Sequence, residues 1–369
     1  MKENLETLKI QLEQAACPEQ VFGRLEGHSA TTLRHALGEV FRSLAKNCHP
    51  DLVPETEQAL AAEVFRLLNS WRTQAERKLE LETYGDQKPL FEPVEFLVGE
   101  ELLTLTGMAA AGLVSTVYEA HFTGAKSGQR VFAKVSREPA DNDLLEREFR
   151  ALTAIRLPHP DPVAEREFYS KQRTYLPEPL MHFTVMGSSG RLQGMSLLGT
   201  PEGRCFTAQA LREDKFVMGV EPRQVWWIFR RLLMTLWLAH LRGFAHGAVT
   251  PDHVLVYPEA HGLVLLDWTC ASRLGQEILP LYDPAWMGFV PPELLARAPA
   301  STASDLFMAA KTALYLLGEH TETLDTTIRR FFEQCTLPDP TRRLSDAERA
   351  HESFGTLLGE RAFSEFIVP

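Results

Sequence analysis

Apolar residues in the first 85 positions follow a helical period. Between residues 33 and 48 they recur three and four positions apart and form one continuous stripe, and residues 61–79 repeat this pattern. A loop separates the two segments. The spacing predicts two amphipathic helices that pack against each other as an antiparallel hairpin.

The pattern changes after a stretch with two prolines, KPLFEPVEF, at residues 88–96. From Glu101 onward the chain has short β-like runs, LLTLTG, STVYEAHF and RVFAKVS, the last two joined by a turn near residues 124–128. Runs of this length bounded by glycine predict an antiparallel sheet.

Helical periodicity returns at residues 142–155 and 223–241 and continues through much of the remaining chain. A small sheet followed by helices predicts an α+β body. We therefore expect a multidomain α+β protein with three segments: a helical domain over residues 1–86, a linker over 87–100 and a second domain over 101–369.

Composition narrows the classes of partner. The 369 residues carry 49 acidic and 38 basic side chains, a formal charge of −11, which argues against sequence-independent binding to nucleic acid. No run approaches the roughly 20 apolar residues that span a bilayer. The five cysteines are far apart without a CxxC pair, which disfavours disulfides and structural zinc. We expect a cytoplasmic protein with no nucleic-acid and no membrane partner.

The loop of the predicted hairpin begins with a short polar motif, His49-Pro50-Asp51. A proline turn at this point would hold an imidazole and a carboxylate rigidly at a helix junction. The helix before the loop has a basic polar side, which suits an acidic partner. Its basic residues are Arg34, Arg42 and Lys46.

With this loop, residues 17–84 resemble a J-domain, the co-chaperone module whose HPD loop stimulates ATP hydrolysis by DnaK-type chaperones. The resemblance implies that His49, Pro50 and Asp51 activate the chaperone and that the three basic residues form the docking face. The same tripeptide recurs at residues 159–161. That copy is enclosed by two further prolines and lies outside any amphipathic hairpin, so we expect a structural turn there.

The second domain carries a series of motifs in a recognisable order. GMAAAGLVSTVYEA loosely fits a glycine-rich loop, whose small residues would let the backbone approach phosphates. VFAKVS, EREFRALTAI and LVLLDWT follow it. In this order the motifs resemble the protein-kinase fold, a small β-lobe over a helical lobe with nucleotide between them. The resemblance implies these nucleotide-binding residues: Gly107, Gly112, Lys134, Glu148, with Glu146 as its alternative, and Asp267.

The segment GFAHGAVTPDHVLV resembles the kinase catalytic loop, HRDxxxxN. His246 is kept, Ala248 replaces the catalytic aspartate and His253 replaces the metal-binding asparagine. Alanine cannot accept a proton, and imidazole is a poor ligand for magnesium, which prefers oxygen. The resemblance therefore implies a pseudokinase with a degraded catalytic loop.

Asp267 in LVLLDWT matches the position of a magnesium ligand, and the alternative interpretation is a strand-end residue that caps a turn. Lys134, Glu148 and Asp267 are compatible with weak binding of ATP and Mg²⁺, whereas His253 and the loose glycine loop argue against tight binding. Scaffold motifs of the family are kept. The resemblance implies that Glu293 pairs with Arg343 and that Asp305 braces the catalytic loop.

Three functions follow from these motifs. The first is a co-chaperone adaptor whose J-like loop engages a DnaK-type chaperone, while the pseudokinase binds a client, a partner protein or nucleotide. The second is an atypical ATP-dependent protein kinase that uses Lys134 and Asp267 without the usual catalytic aspartate. The third is a structural interaction protein in which neither motif set is active.

Overall fold

The computed structural model describes residues 5–27, 29–187, 190–276, 282–359 and 364–369. Contacts divide the chain into two compact units, Met1–Pro93 and Val94–Pro369. The prediction of a mixed α and β protein with a helical N-terminal region and an antiparallel sheet is confirmed.

The described part of the first unit is helical. Its third helix begins where Ser29 and Thr32 form a capping box, each side chain bonding the other's backbone N–H. The helix ends before Pro50, which keeps the preceding residue out of helical conformation. The helices are α1 (Leu5–Gln14), α2 (Pro18–Phe22), α3 (Ala30–Cys48) and α4 (Gln58–Glu80).

The core of this unit lies between the apolar stripes of α3 and α4, and α1 packs along α4. The indole of Trp71 on α4 donates a hydrogen bond to the Leu12 carbonyl of α1 at 2.9 Å. The stripes predicted from the sequence therefore supply the buried surface. The buried residues of the first unit include Leu8 and Leu12 of α1, and Leu37, Phe41, Val64 and Leu68 of α3 and α4.

A buried ionic network fixes the chain beyond α4. Lys78 Nζ donates to Glu19 Oε1 of α2 at 2.6 Å, to the Lys88 carbonyl at 2.8 Å and to Asp86. Burial lowers the pKa of Lys78, but the two carboxylates outweigh it, so its pKa lies above the usual value. The ammonium is 1% exposed and is held as a cation by these acceptors.

In the described part of the second unit, six strands form an antiparallel sheet in the order β1-β2-β3-β4-β6-β5. Lys134 lies on β4, opposite Val117 of β3 and Ser196 of β6. The strands are β1 (Val94–Val98), β2 (Glu101–Ala111), β3 (Ser115–Phe122), β4 (Gln129–Ser136), β5 (Glu178–Met186) and β6 (Leu192–Pro201).

One predicted boundary needs correction. Residues 87–100 were expected to form a linker, but Val94–Val98 within it form β1 and pair with β2 from Val98 opposite Glu101 to Val94 opposite Leu105. The prolines at positions 89 and 93 precede the strand and do not interrupt its ladder. The second unit therefore begins at Val94 rather than at Glu101.

A helix packs on the sheet, and a larger helical body follows it. Helix α5 (Asn142–Ile155) lies against β5 and β6, with Leu145 and Leu152 buried. The core of the body forms around two long apolar helices. The remaining helices are α6 (Pro162–Ala164), α7 (Ser170–Gln172), α8 (Ala208–Ala210), α9 (Pro222–Leu241), α10 (Pro292–Leu295), α11 (Thr302–Leu317), α12 (Thr326–Cys335) and α13 (Ala347–Leu358).

Short strands complete the helical body and hold the segment between α9 and α11. They are β7 (Phe206–Thr207), β8 (Phe244–Ala245), β9 (Val254–Tyr257), β10 (Gly262–Leu265) and β11 (Ser272–Arg273). Strand β9 pairs with β7 and β10, and β8 pairs with β11. Within the described ranges, none of the helices combines the length and the apolar character needed to cross a bilayer.

Candidate functional site

The HPD tripeptide of the first unit lies at the junction of α3 and α4. His49 Nδ1 accepts a hydrogen bond from the Asp51 backbone N–H at 3.2 Å. The imidazole lies edge-on to Phe65 of α4, with ring centroids 5.1 Å apart. The side chains of His49 and Asp51 are 40% and 87% exposed. The loop therefore presents an oriented imidazole and an exposed carboxylate to solvent.

The second copy of the tripeptide has the same local geometry. His159 Nδ1 accepts from the Asp161 backbone N–H at 3.1 Å. Its imidazole, however, is stacked on Tyr169 at 4.3 Å, and its backbone N–H is bonded to Glu165 at 2.8 Å. The turn is thus a property of the tripeptide itself, and only its surroundings distinguish the two copies.

The predicted basic residues of α3 lie at different distances from the loop. Lys46 and Arg42 precede His49 by three and seven residues, and both are exposed. At about 1.5 Å per residue they lie within roughly 11 Å of it along the helix. Arg34 is about 22 Å away by the same measure, and it contacts Glu80 of α4 at 3.7 Å. The structure groups two of the three residues with the loop.

In the second unit, Lys134 joins two carboxylates that are far apart in the sequence. Its Nζ lies 2.9 Å from Glu148 Oε2 on α5 and 3.0 Å from Asp267 Oδ1 beyond β10. Of the two candidate glutamates, Glu148 is fully buried at this contact, whereas Glu146 pairs with Arg150 at the surface. Lys134 therefore ties the sheet, α5 and the chain after β10 together.

Asp267 is held from several sides. Its Oδ1 also accepts from the Thr269 backbone N–H at 3.2 Å and from the Thr269 hydroxyl. Its Oδ2 lies 3.4 Å from His253 Nε2. The residue has φ of 55°, a left-handed conformation that aspartate tolerates better than most residues. The next residue, Trp268, donates its backbone N–H to Glu148 Oε1 at 2.7 Å.

The charges of this cluster depend on one another. Burial lowers the pKa of the Lys134 ammonium, but Asp267 and Glu148 raise it more, so it lies above the usual value. Burial raises the pKa of Asp267, but Lys134 and His253 hold it well below its usual range. Burial raises the pKa of Glu148, and Lys134 opposes that rise. Lys134 and Asp267 thus form an ion pair at neutral pH.

The segment that resembles a catalytic loop is bonded mainly to its own scaffold. Asp305 of α11 accepts the backbone N–H groups of His246 and Gly247, each at 2.8 Å. Ala248 contributes no polar side chain. Its carbonyl lies 2.8 Å from His253 Nδ1, which carries a proton and donates to it. The arrangement fixes the loop backbone but leaves no general base at position 248.

The glycine hairpin is open. Gly107 and Gly112 both have negative φ, and a Cβ at Gly107 would meet no atom within 4 Å. Gly112 donates its N–H to the Ser115 carbonyl at 2.8 Å, which closes the turn between β2 and β3. Local structure therefore does not require glycine at position 107, and its small size leaves that face of the hairpin uncovered.

The residues present do not fit a magnesium ion. Magnesium prefers six oxygen ligands at about 2.0–2.1 Å in octahedral geometry. Asp267 Oδ1 already accepts from Lys134 and Thr269, and His253 offers nitrogen where an amide oxygen would be needed. Across the described ranges, no group of three or more His, Cys, Asp or Glu side chains is arranged to hold a metal ion.

A second buried ion pair joins the two scaffold residues singled out in the sequence. Arg343 contacts Glu293 through two nitrogen–oxygen pairs of 2.5 and 2.9 Å. Ser304 of α11 donates to the same carboxylate at 2.9 Å. Because this contact is bidentate and buried, it fixes α10 to α11 and to the segment before α13.

Sequence reasoning missed two members of the cluster around Asp267. Thr269, which stands where the family motif that LVLLDWT resembles has glycine, and Asp252, 3.5 Å from His253 Nε2, were not among the residues predicted from the sequence. A signal for Thr269 existed, since a threonine two residues after an aspartate can bond it within a tight turn. No motif in the sequence marks Asp252. It contacts His253 because the two residues are adjacent in the chain.

Comparison with known proteins adds no assignment: no protein-family model matches the chain, and a search of curated proteins finds no match. The functional interpretation of both units rests on their residues and geometry.

Proposed function

We propose that this protein is a co-chaperone adaptor. Its first unit is a J-domain-like module that engages a DnaK-type chaperone through His49, Pro50 and Asp51. Its second unit is a kinase-like binding module that does not transfer phosphate. The observation that carries the proposal is the position of the HPD loop, exposed at the junction of two antiparallel helices with Arg42 and Lys46 beside it.

The order of elements supports the interpretation of the second unit. A glycine-containing hairpin, a strand with Lys134 and a helix with Glu148 come first, and a helical body with Asp267 follows. The contact of Lys134 with Glu148 and the pair between Glu293 and Arg343 are those the resemblance implies. A fold alone does not define a function, so the chemistry of the cleft decides what this unit does.

That chemistry favours binding over phosphotransfer. Ala248 offers no acceptor for a substrate proton, and His253 is directed to a backbone carbonyl and two carboxylates. Phosphotransfer depends on positioned magnesium and an oriented nucleophile, and neither has its usual residues here. The unit would therefore bind a client, a partner protein or a nucleotide without transferring phosphate.

The proposal is tested by single-turnover ATP hydrolysis on the host's DnaK-type chaperone. The full-length protein is expected to accelerate hydrolysis, and Asp51→Asn is expected to abolish the acceleration while leaving circular dichroism unchanged. Acceleration that survives in Asp51→Asn would mean that the HPD loop is not the activating element. No acceleration by either folded protein would remove the co-chaperone function.

A second candidate function, an atypical kinase, is favoured by one observation, the retained contact between Lys134 and Glu148. It predicts transfer of radiolabelled phosphate from millimolar ATP in the presence of magnesium or manganese, and loss of that transfer in Asp267→Ala. Our proposal predicts no transfer by either protein. Transfer by the wild type that depends on Asp267 would replace the binding role with an enzymatic one.

A further inference from the structure

The contacts of Asp267 are those of a local turn. Its Oδ1 accepts both the backbone N–H and the hydroxyl of the threonine two residues later. The same two bonds form between Asp325 and Thr327 and between Asp339 and Thr341, which lie on the surface of the helical body. This chain therefore also uses the Asp-x-Thr turn at exposed positions of its surface.

Asp267 differs from the two surface copies in what else it touches. Asp325 and Asp339 bond within their own turns, whereas Asp267 Oδ1 also lies 3.0 Å from the buried Lys134 ammonium. Lys134 is 4% exposed and also contacts Glu148, which in turn accepts the Trp268 N–H. The turn is thus linked to β4 and α5 through one buried cation.

His253 takes the other oxygen of Asp267. Because its Nδ1 donates to the Ala248 carbonyl, its ring is fixed with Nε2 toward Asp267 Oδ2 and Asp252 Oδ2, at 3.4 and 3.5 Å. An asparagine at this position would offer an oxygen to a cation. Histidine instead places a ring between the two carboxylates, where a cation that bridges them would have to lie.

We infer that the cleft around Asp267 works without a divalent cation, and that Asp267 is a bracing residue that joins β4, α5 and the chain after β10. This inference rests on the kinase-like interpretation proposed above, which supplies the expectation of a metal. The two departures from the family motif, Thr269 and His253, act together, because each occupies one oxygen of Asp267. The cleft keeps its arrangement whether or not magnesium is present.

Thermal unfolding of the full-length protein in EDTA and in 10 mM Mg²⁺, each with and without the non-hydrolysable ATP analogue AMP-PNP, tests the inference. We expect any shift of Tm by AMP-PNP to be the same in both buffers. We expect Asp267→Ala to lower Tm by about 5 °C or more in both, since it removes a partner of a buried cation. Asp339→Ala removes the same turn at the surface and should lower Tm by only about 2 °C.

Two results would overturn the inference. One is a stabilisation by AMP-PNP that requires Mg²⁺ in the wild type and is lost in Asp267→Ala. The other is an Asp267→Ala Tm equal to that of the wild type in EDTA. If Asp267→Ala does not fold, Asp267→Asn keeps the oxygen that accepts from Thr269 and allows the same comparison of buffers. The chaperone assay reports on the first unit, so failure of either proposal is distinguishable from failure of the other.

Discussion

His246 is a fully buried histidine whose two ring nitrogens have opposite roles. Nδ1 accepts from the Ala248 backbone N–H at 3.1 Å, and Nε2 donates to the Leu266 carbonyl at 2.9 Å. A second proton on Nδ1 would point at a backbone donor, so the geometry fits only the neutral ring. Burial lowers the pKa of His246 to about 4. This residue links the loop after β8 to the strand end before Asp267.

The state of His246 predicts a loss of stability in mild acid. Its pKa is about 4 in the folded chain and about 6.5 in an unfolded one. The unfolded state therefore binds more protons between these values, and stability falls as the pH drops from about 6.5 toward 4. We expect protonation of His246 in the unfolded state to lower the free energy of unfolding by about 2 kcal/mol from pH 7 to pH 5. Urea unfolding at the two pH values measures this difference.

The matched comparison is between His246→Asn and His121→Gln. The first removes the buried imidazole and should reduce the difference in unfolding free energy between the two pH values. The second removes an exposed histidine of β3 and should leave that difference unchanged. An identical pH dependence in wild type and His246→Asn would show that His246 is not the titrating group.

At the residue scale, the sequence predicted which residues belong to the cluster around Lys134 better than it predicted the contacts they make. Lys134, Glu148 and Asp267 were recognised from the order of motifs. A contact between residues more than a hundred positions apart, such as Lys134 and Asp267, leaves no local signal in the sequence. The turn between Asp267 and Thr269 needs only two residues and could have been predicted. The sequence favoured Glu148 and left Glu146 as the alternative, since both lie on one helix and only packing decides which is buried.

At the element scale, Lys78 has a structural role that the helical pattern concealed. A lysine in an amphipathic helix ordinarily belongs to the solvated face. Here α2 brings Glu19 over α4, so Lys78 becomes buried between α2 and the segment that follows α4. Periodicity predicted α3 and α4 but not this contact, which spans 59 residues. Strand β1 was missed because nearby prolines favoured a linker.

Replacing Lys78 with methionine should destabilise the end of α4. The substitution leaves the Glu19 carboxylate, 6% exposed, without its cation. Removing one partner of a buried ion pair typically lowers stability by about 3 kcal/mol or more. This loss corresponds to amide exchange that is roughly 100-fold faster. Hydrogen-exchange mass spectrometry of peptides from α4 in the full-length protein measures this effect locally.

The control substitution is Glu76→Gln, also on α4. Glu76 pairs with Arg72 at 2.9 Å, but both side chains are more than 40% exposed. Such a pair contributes less than about 0.5 kcal/mol, so exchange should change less than about threefold. Equal effects of Lys78→Met and Glu76→Gln would contradict the buried network.

Helix α3 predicts a gradient of docking contributions along its length. Arg42 lies about 11 Å from His49 along the helix, and Arg34 about 22 Å. Charge reversal at Arg42 should therefore weaken binding to the DnaK-type chaperone by about tenfold or more, with an effect that shrinks at high salt. Arg34→Glu, the same change on the same helix, should weaken it less. Fluorescence anisotropy with labelled chaperone measures both, and a larger loss from Arg34→Glu would refute this gradient.

At the scale of the whole molecule, the two units combine one exposed motif with one cluster of side chains that bond one another. In the first unit, the carboxylate of Asp51 is 87% exposed at the surface. In the second, the side chains that resemble catalytic residues bond one another or the backbone. The division into a helical unit and an α+β unit was predictable from hydrophobic periodicity. Tertiary contacts decide which motif is exposed to solvent and which is bonded to other parts of its unit, and only the structure reveals them.

We propose that the first HPD loop, and not the tripeptide as such, activates a DnaK-type chaperone. The chain supplies its own control, since Asp51 and Asp161 donate the same backbone bond to a preceding histidine. Single-turnover ATP hydrolysis by the chaperone should therefore be compared for wild type, Asp51→Asn and Asp161→Asn. We expect equal acceleration by wild type and Asp161→Asn, and none by Asp51→Asn. Acceleration by all three proteins, or its loss in Asp161→Asn alone, would contradict it.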